Sequence, residues 1–102
     1  MFVRTVKIRN KTGLHIRPAG LFVETANKFR SAVQVATADQ EADGRSMLSL
    51  MLLEMTPGTE ITIRAEGEDE AEAADELAAL VDSGFSEYGA SAGTRASGPR
   101  LR

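Results

Sequence analysis

The chain has 102 residues, 42% of them apolar, 26% charged and none cysteine. That length suits one domain with a modest core and leaves no room for a large enclosed substrate cavity, while the lack of cysteine excludes thiol catalysis, disulfides and thiolate metal sites. The net charge of −3 conceals an asymmetry: residues 1–53 carry eight Lys/Arg and four Asp/Glu, residues 54–88 one Arg and eleven acids, and the remainder three Arg.

A mildly basic end and a strongly acidic end are therefore expected. Nucleic acid fits poorly as a partner, because phosphate binding needs a concentrated basic surface. No apolar run approaches the length of a membrane span, about 18 residues. The N-terminal M-F-V-R-T-V-K-I alternates instead of forming the apolar block of a signal peptide. The expectation is a cytoplasmic protein with no membrane insertion.

Phe2, Val6 and Ile8 fall on one face of an alternating segment, and Val3, Thr5 and Lys7 on the other, as in a half-buried strand. N-K-T-G at 10–13 is a loop. From Ile16 to Phe29, Ala19, Phe22, Val23 and Ala26 recur at helical spacing, which predicts an amphipathic helix. Val33 and Val35 mark a second strand, and the polar run after it a turn and a short edge strand near 40–43. Residues 47–53 are Met/Leu-rich and read as a short helix. T-P-G-T at 56–59 is a turn, and Ile61, Ile63 and Ala65 alternate as a further strand.

The last helix is expected to start at Asp69, with Glu72 completing a capping box. Ala74, Leu77, Ala78 and Val81 form its buried stripe, and Gly84 ends it. A domain over 1–88 is followed by residues 89–102, whose Gly/Ser/Arg-rich composition predicts a disordered tail. The order βαββαβα implies an α+β open-faced sandwich: a four-stranded, mostly antiparallel sheet with three helices on one face and water on the other.

The single histidine, His15, stands just before the first helix in G-L-H-I-R-P-A at 13–19. A lone histidine is commonly only a cap or a surface residue; its neighbours decide otherwise. With His15 at the N-cap, the backbone N–H groups of Ile16 and Arg17 have no intrahelical partner and form an anion site. Pro18 is tolerated in a first turn for the same reason. Arg17 adds a permanent cation with fork geometry for phosphate oxygens. The same donors disfavour imidazolium and so keep a neutral, nucleophilic ring nitrogen, and phosphoryl transfer asks for little beyond positioning and charge stabilisation. No second histidine is present for a metal site and no P-loop for a nucleotide. No cofactor or metal is expected.

G-L-H-I-R-P-A closely resembles the active-site motif of the HPr family, the phosphocarriers of the phosphoenolpyruvate-dependent phosphotransferase system. The likeness continues through R-S at 45–46, T-x-G-T-E-I-T-I at 56–63 and A-E-G-E-D-E at 65–70, over roughly residues 2–85. It implies that His15 is phosphorylated on its δ1 nitrogen by phospho-enzyme I, that Arg17 assists, and that an A-type acceptor domain takes the phosphoryl group. The protein would be a carrier and not an enzyme, and a monomer. Ser46 matches the family's regulatory phosphorylation site, the target of an HPr kinase/phosphorylase; its position also makes it an N-cap for the short helix. Ile16, Gly20, Met47, Leu48 and Met51 match a docking face around His15, where Met repacks readily against several partners. Leu50 and Leu53 are assigned to the core.

The chain departs from sugar-type members at Glu24, Asn27 and Ser49, where those often carry lysine, and at Gly20. N-K-T-G and D-S-G-F at 82–85 are similar to the nitrogen-related branch. The alternative to a phosphate relay is a regulatory protein-binding module of the same fold acting through the phosphorylation state of Ser46. Family members of that kind lack the histidine, so His15 favours the carrier.

Overall fold

The structure, a computed structural model, describes residues 1–9, 16–53 and 55–85. Its elements are β1 (Phe2–Lys7), α1 (Ile16–Ala26), β2 (Ala32–Ala36), β3 (Glu41–Asp43), α2 (Met47–Leu52), β4 (Glu60–Glu66) and α3 (Glu70–Asp82). The strands form one sheet in the order β1-β4-β2-β3, antiparallel at every pairing. The alternation read from the sequence sets the register. Ile61, Ile63 and Ala65 of β4 oppose Val6, Arg4 and Phe2 of β1 on one side, while Ile63 and Ala65 oppose Val35 and Val33 of β2 on the other. Ile61, Ile63, Ala65, Val33 and Val35 are buried under the helices, and Val3, Thr5, Gln34 and Glu66 on the opposite face stay exposed.

One continuous core joins Phe22 and Ala26 of α1, Leu50 of α2, Leu77 and Val81 of α3, and Phe85 to this sheet face. Gly84 closes α3 at φ 67°, a left-handed conformation that glycine adopts without steric cost. Its N–H donates to Val81 O at 3.0 Å, and Phe85 N–H donates to Leu80 O at 2.9 Å, which swings the phenyl ring into the core.

Three expectations are corrected. The first helix ends at Ala26 and not at Phe29, because the chain turns there and Arg45 takes up the carbonyls of Ala26 and Phe29. Asp69 is the N-cap residue of α3, but its side chain makes no capping bond. Its carboxylate accepts instead from Arg30 N, Ser31 N and Ser31 Oγ, so the capping box with Glu72 does not form. Finally, the opposite charges of the two halves are interleaved: Arg4–Asp75, Arg9–Asp82, Lys28–Glu76 and Arg30–Glu68 pair at 2.7–3.3 Å, and the N-terminal amine pairs with Glu70. The topology brings β1 and the segment after α1 alongside α3, and Coulomb attraction does the rest. The boundary after Tyr88 and the tail at 89–102 lie outside the described residues. No helix among the described residues is long and apolar enough to cross a membrane.

Candidate phosphoryl-transfer site

The site is built on the start of α1. His15 and the N-K-T-G segment lie outside the described residues; Ile16, the next residue after His15, is the first residue of the helix. From there the sequence divides by face. Pro18, Ala19, Phe22 and Ala26 are buried and fix the helix to the core, while Ile16 (62% exposed) and Arg17 face water. Pro18 is the third helical residue, within the first turn, where its missing N–H removes no intrahelical bond. Among the described residues no carboxylate pairs with Arg17. Gly20 is half-buried, and a methyl group there would meet nothing within 4 Å. Among the described residues no group of acids could hold a metal ion.

α2 packs beside α1. Ser46 is its N-cap, extended at φ −107° and ψ 104°; its Oγ accepts from Ser49 N–H at 3.2 Å and donates to Ser49 Oγ at 2.9 Å. Leu50 is fully buried and Leu53 nearly so, as assigned. Met47 and Leu48 are exposed and Met51 is half-buried. Leu52, 66% exposed, joins them, since positions 47, 48, 51 and 52 share one side of a helix. The sequence reading missed Leu52 because a six-residue helix in a continuous apolar run shows no periodicity. It also missed Arg45, whose guanidinium donates from Nη2 to the main-chain oxygens of Ala26, Phe29 and Ser31. That contact spans 14 to 19 residues, and only the R-S likeness at 45–46 touched it.

Two carboxyls titrate below their ordinary values. Asp69 is lowered chiefly by the Ser31 hydroxyl, then by the Arg30 N–H. Glu70 is lowered chiefly by the Gly67 N–H, then by the N-terminal amine. Both belong to the start of α3 and serve the fold.

A four-stranded antiparallel sheet with three helices, the first starting one residue after the single histidine of the sequence and carrying an exposed arginine, is an open-faced sandwich. Residues 2–83 match the family described as the PTS HPr component phosphorylation site. The chain is 46% identical over 81 residues to the HPr-like protein Crh of Bacillus subtilis, covering 79% of this chain and 95% of Crh. It is 39% identical over 87 residues to the phosphocarrier protein HPr of Neisseria meningitidis, covering 85% and 98% of the two. The fold superposes on the crystal structure of HPr-C-His from Thermoanaerobacter tengcongensis with a TM-score of 0.81 at 42% identity, over 84% of this chain and 97% of that one. The chain belongs to the HPr family.

Proposed function

We propose that the protein is a cytoplasmic phosphocarrier: His15 accepts a phosphoryl group from phospho-enzyme I and passes it to an A-type acceptor domain. The observation that carries this reading is the start of α1, where the helix opens directly after the only histidine with Arg17 in water and Pro18 and Ala19 locked in the core. A helix anchored on one side supplies fixed N–H donors to an anion at its N-terminus, and Arg17 supplies a solvent-exposed charge. In the transfer, a ring nitrogen of His15 forms a bond to phosphorus as the donor's nitrogen–phosphorus bond breaks. The donors at the helix start, the Ile16 and Arg17 N–H groups, then stabilise the dianion.

The experiment is incubation with phosphoenolpyruvate and enzyme I, followed by mass measurement. An acid-labile, base-stable gain of one phosphate is expected, and none in His15→Ala, whose melting temperature should match the parent's. Phosphate uptake by the variant would remove His15 from the role.

A second reading is favoured by one observation: likeness to HPr-like Crh is as strong as likeness to the phosphocarriers. In that reading the molecule is a binding module switched by a kinase acting on Ser46, and its apolar α2 face is the surface switched. Ser46 at the helix cap supports either role.

A further inference from the structure

The carrier reading gives no task to Arg45, yet the structure ties it into three elements. Its main chain is held to the β2–β3 hairpin: Arg45 N–H donates to Asp43 Oδ1 at 2.9 Å, Ser46 N–H to Asp43 O at 3.1 Å and Gly44 N–H to Val33 O at 2.8 Å. Gly44 is buried so closely that a Cβ there would sit 2.5 Å from Val33 Cγ1, so the turn cannot drift from the sheet. The side chain reaches the other way. Nη2 lies 2.6 Å from Phe29 O, 2.7 Å from Ser31 O and 3.2 Å from Ala26 O. The Ala26 carbonyl ends α1 and also accepts from Phe29 N–H at 3.1 Å, and the Phe29 and Ser31 carbonyls belong to the turn that leads to β2. The next residue along, Ser46, starts α2.

We propose that Arg45 is a positioning residue of the docking surface: by gripping the end of α1 from the turn that opens α2, it fixes Met47, Leu48 and Met51 relative to the helix that begins at Ile16. The proposal rests on the phosphocarrier reading. α2 has six residues and one fully buried side chain, Leu50; a helix that short does not hold its own geometry and takes it from what its ends are tied to. Arg45 acts at a distance from the chemistry. Ala26 is ten residues beyond Ile16, about 15 Å along the helix axis at about 1.5 Å per residue. Its loss should therefore weaken partner encounter and leave the transfer step intact. The site also has a distinctive donor requirement. One nitrogen with two hydrogens serves three carbonyls, whereas an ammonium group has three N–H donors, so by donor count lysine is the conservative replacement.

The test compares Arg45→Met and Arg45→Lys with the parent, in phosphoryl transfer from phospho-enzyme I at varied carrier concentration and in backbone amide spectra. Arg45→Met should raise KM about fivefold or more with kcat within about twofold, and should shift the amides of Ser49 and Leu50. Arg45→Lys should bring both readouts back to the parent's. If Arg45→Met does not fold, Arg45→Gln, whose amide nitrogen stops two bonds short of Nη2 and so stays polar without reaching the carbonyls, takes its place under the same criteria. A folded variant with the parent's KM overturns the proposal, as do α2 amides that stay in place or a lysine that fails to restore them. If the parent accepts no phosphate from enzyme I, it is the carrier reading that falls, and the amide shifts alone still decide whether Arg45 positions α2.

Discussion

α2 and α3 are mounted on the same sheet face and finish their outer sides differently. α3 buries Ala73, Ala74, Leu77, Ala78 and Val81, and turns acids outward, where Asp75, Glu76 and Asp82 meet Arg4, Lys28 and Arg9. α2 buries Leu50 and turns Met47, Leu48 and Leu52 to water. Exposed ion pairs contribute about 0–1 kcal/mol each, so the outer side of α3 gains little stability from them; it gains a surface on which most of its acids, Glu72 excepted, are paired inside the chain. Apolar surface left in water forgoes about 25 cal/mol per Å², and three large side chains on six residues forgo it together. The outer side of α3 is largely paired within the molecule, whereas that of α2 leaves Met47, Leu48 and Leu52 in water, as the proposed docking role asks. That difference supports the proposed docking at α2.

The comparison breaks first if the inner sides are not alike. Leu50 and Leu77 are both fully buried, so Leu50→Ala and Leu77→Ala should each cost about 2–5 kcal/mol in denaturant unfolding, from lost transfer energy and the cavity left behind. Leu48→Ala, at a position 69% exposed, should stay within about 0.5 kcal/mol of the parent while raising KM in transfer. A large stability loss at Leu48 would mean that α2's outer side is packed after all.

The start of α3 should carry a smaller, pH-dependent share. Asp69 holds Arg30 N and Ser31 N at 3.0 Å each and also the Ser31 hydroxyl. Gly67, at φ 151°, lets the backbone pass so close that a Cβ would lie 2.7 Å from Ser31 Cα. The folded-state pKa of Asp69 is depressed below 3.8. A depressed carboxyl stabilises the fold fully above its unfolded-state value and loses that contribution as pH falls from there through the folded value. Melting temperature should therefore decline with acidification below about pH 4. Asp69→Asn should lower it at neutral pH and flatten the acid decline. An acid limb as steep as the parent's would assign the effect to other carboxyls.

Residues whose partners lie nearby in sequence were legible, and those with distant partners were not. Alternation at Ile61, Ile63 and Ala65 and the 3.6-residue spacing at Ala74, Leu77, Ala78 and Val81 are local patterns, and each became the buried face expected. Ser46 could be read as a cap because its acceptor role involves Ser49, three residues on. Asp69 stood at the same kind of position with Glu72 three residues on, yet its carboxylate went to Ser31, 38 residues away. A cap and a long-range staple look alike in sequence, since both need a small acid before a helix. Phe29 continued the apolar spacing of α1, but the chain turned where Arg45 supplied donors to its carbonyls. Charge counts by segment predicted separated ends; which segments become neighbours is a matter of topology, and here it set the basic half against the acidic helix. Of the site, the start of α1 with Ile16, Arg17 and Pro18 was legible from one motif. The outer side of α2 was legible except at Leu52.

The finest test of the difference between the two helices lies at Ser46, where stability and transfer should move apart. Ser46 Oγ accepts from Ser49 N–H and donates to Ser49 Oγ. Aspartate caps a helix as well as serine does, and a negative charge at a helix start gains about 0.3–1 kcal/mol; Ser46→Asp loses only the donated bond. Its stability should thus lie within about 1 kcal/mol of the parent. Ser46→Ala loses the cap itself and should cost about 1 kcal/mol. In transfer the order reverses. The aspartate sets charge beside Met47 and Leu48, on the proposed docking surface, so it should slow phosphorylation of His15 by enzyme I, and the alanine should not. Measuring both variants by melting curve and by transfer time course at matched concentration separates the two roles. If transfer instead falls in proportion to lost stability, with alanine the slower of the two, Ser46 is a helix cap and nothing more.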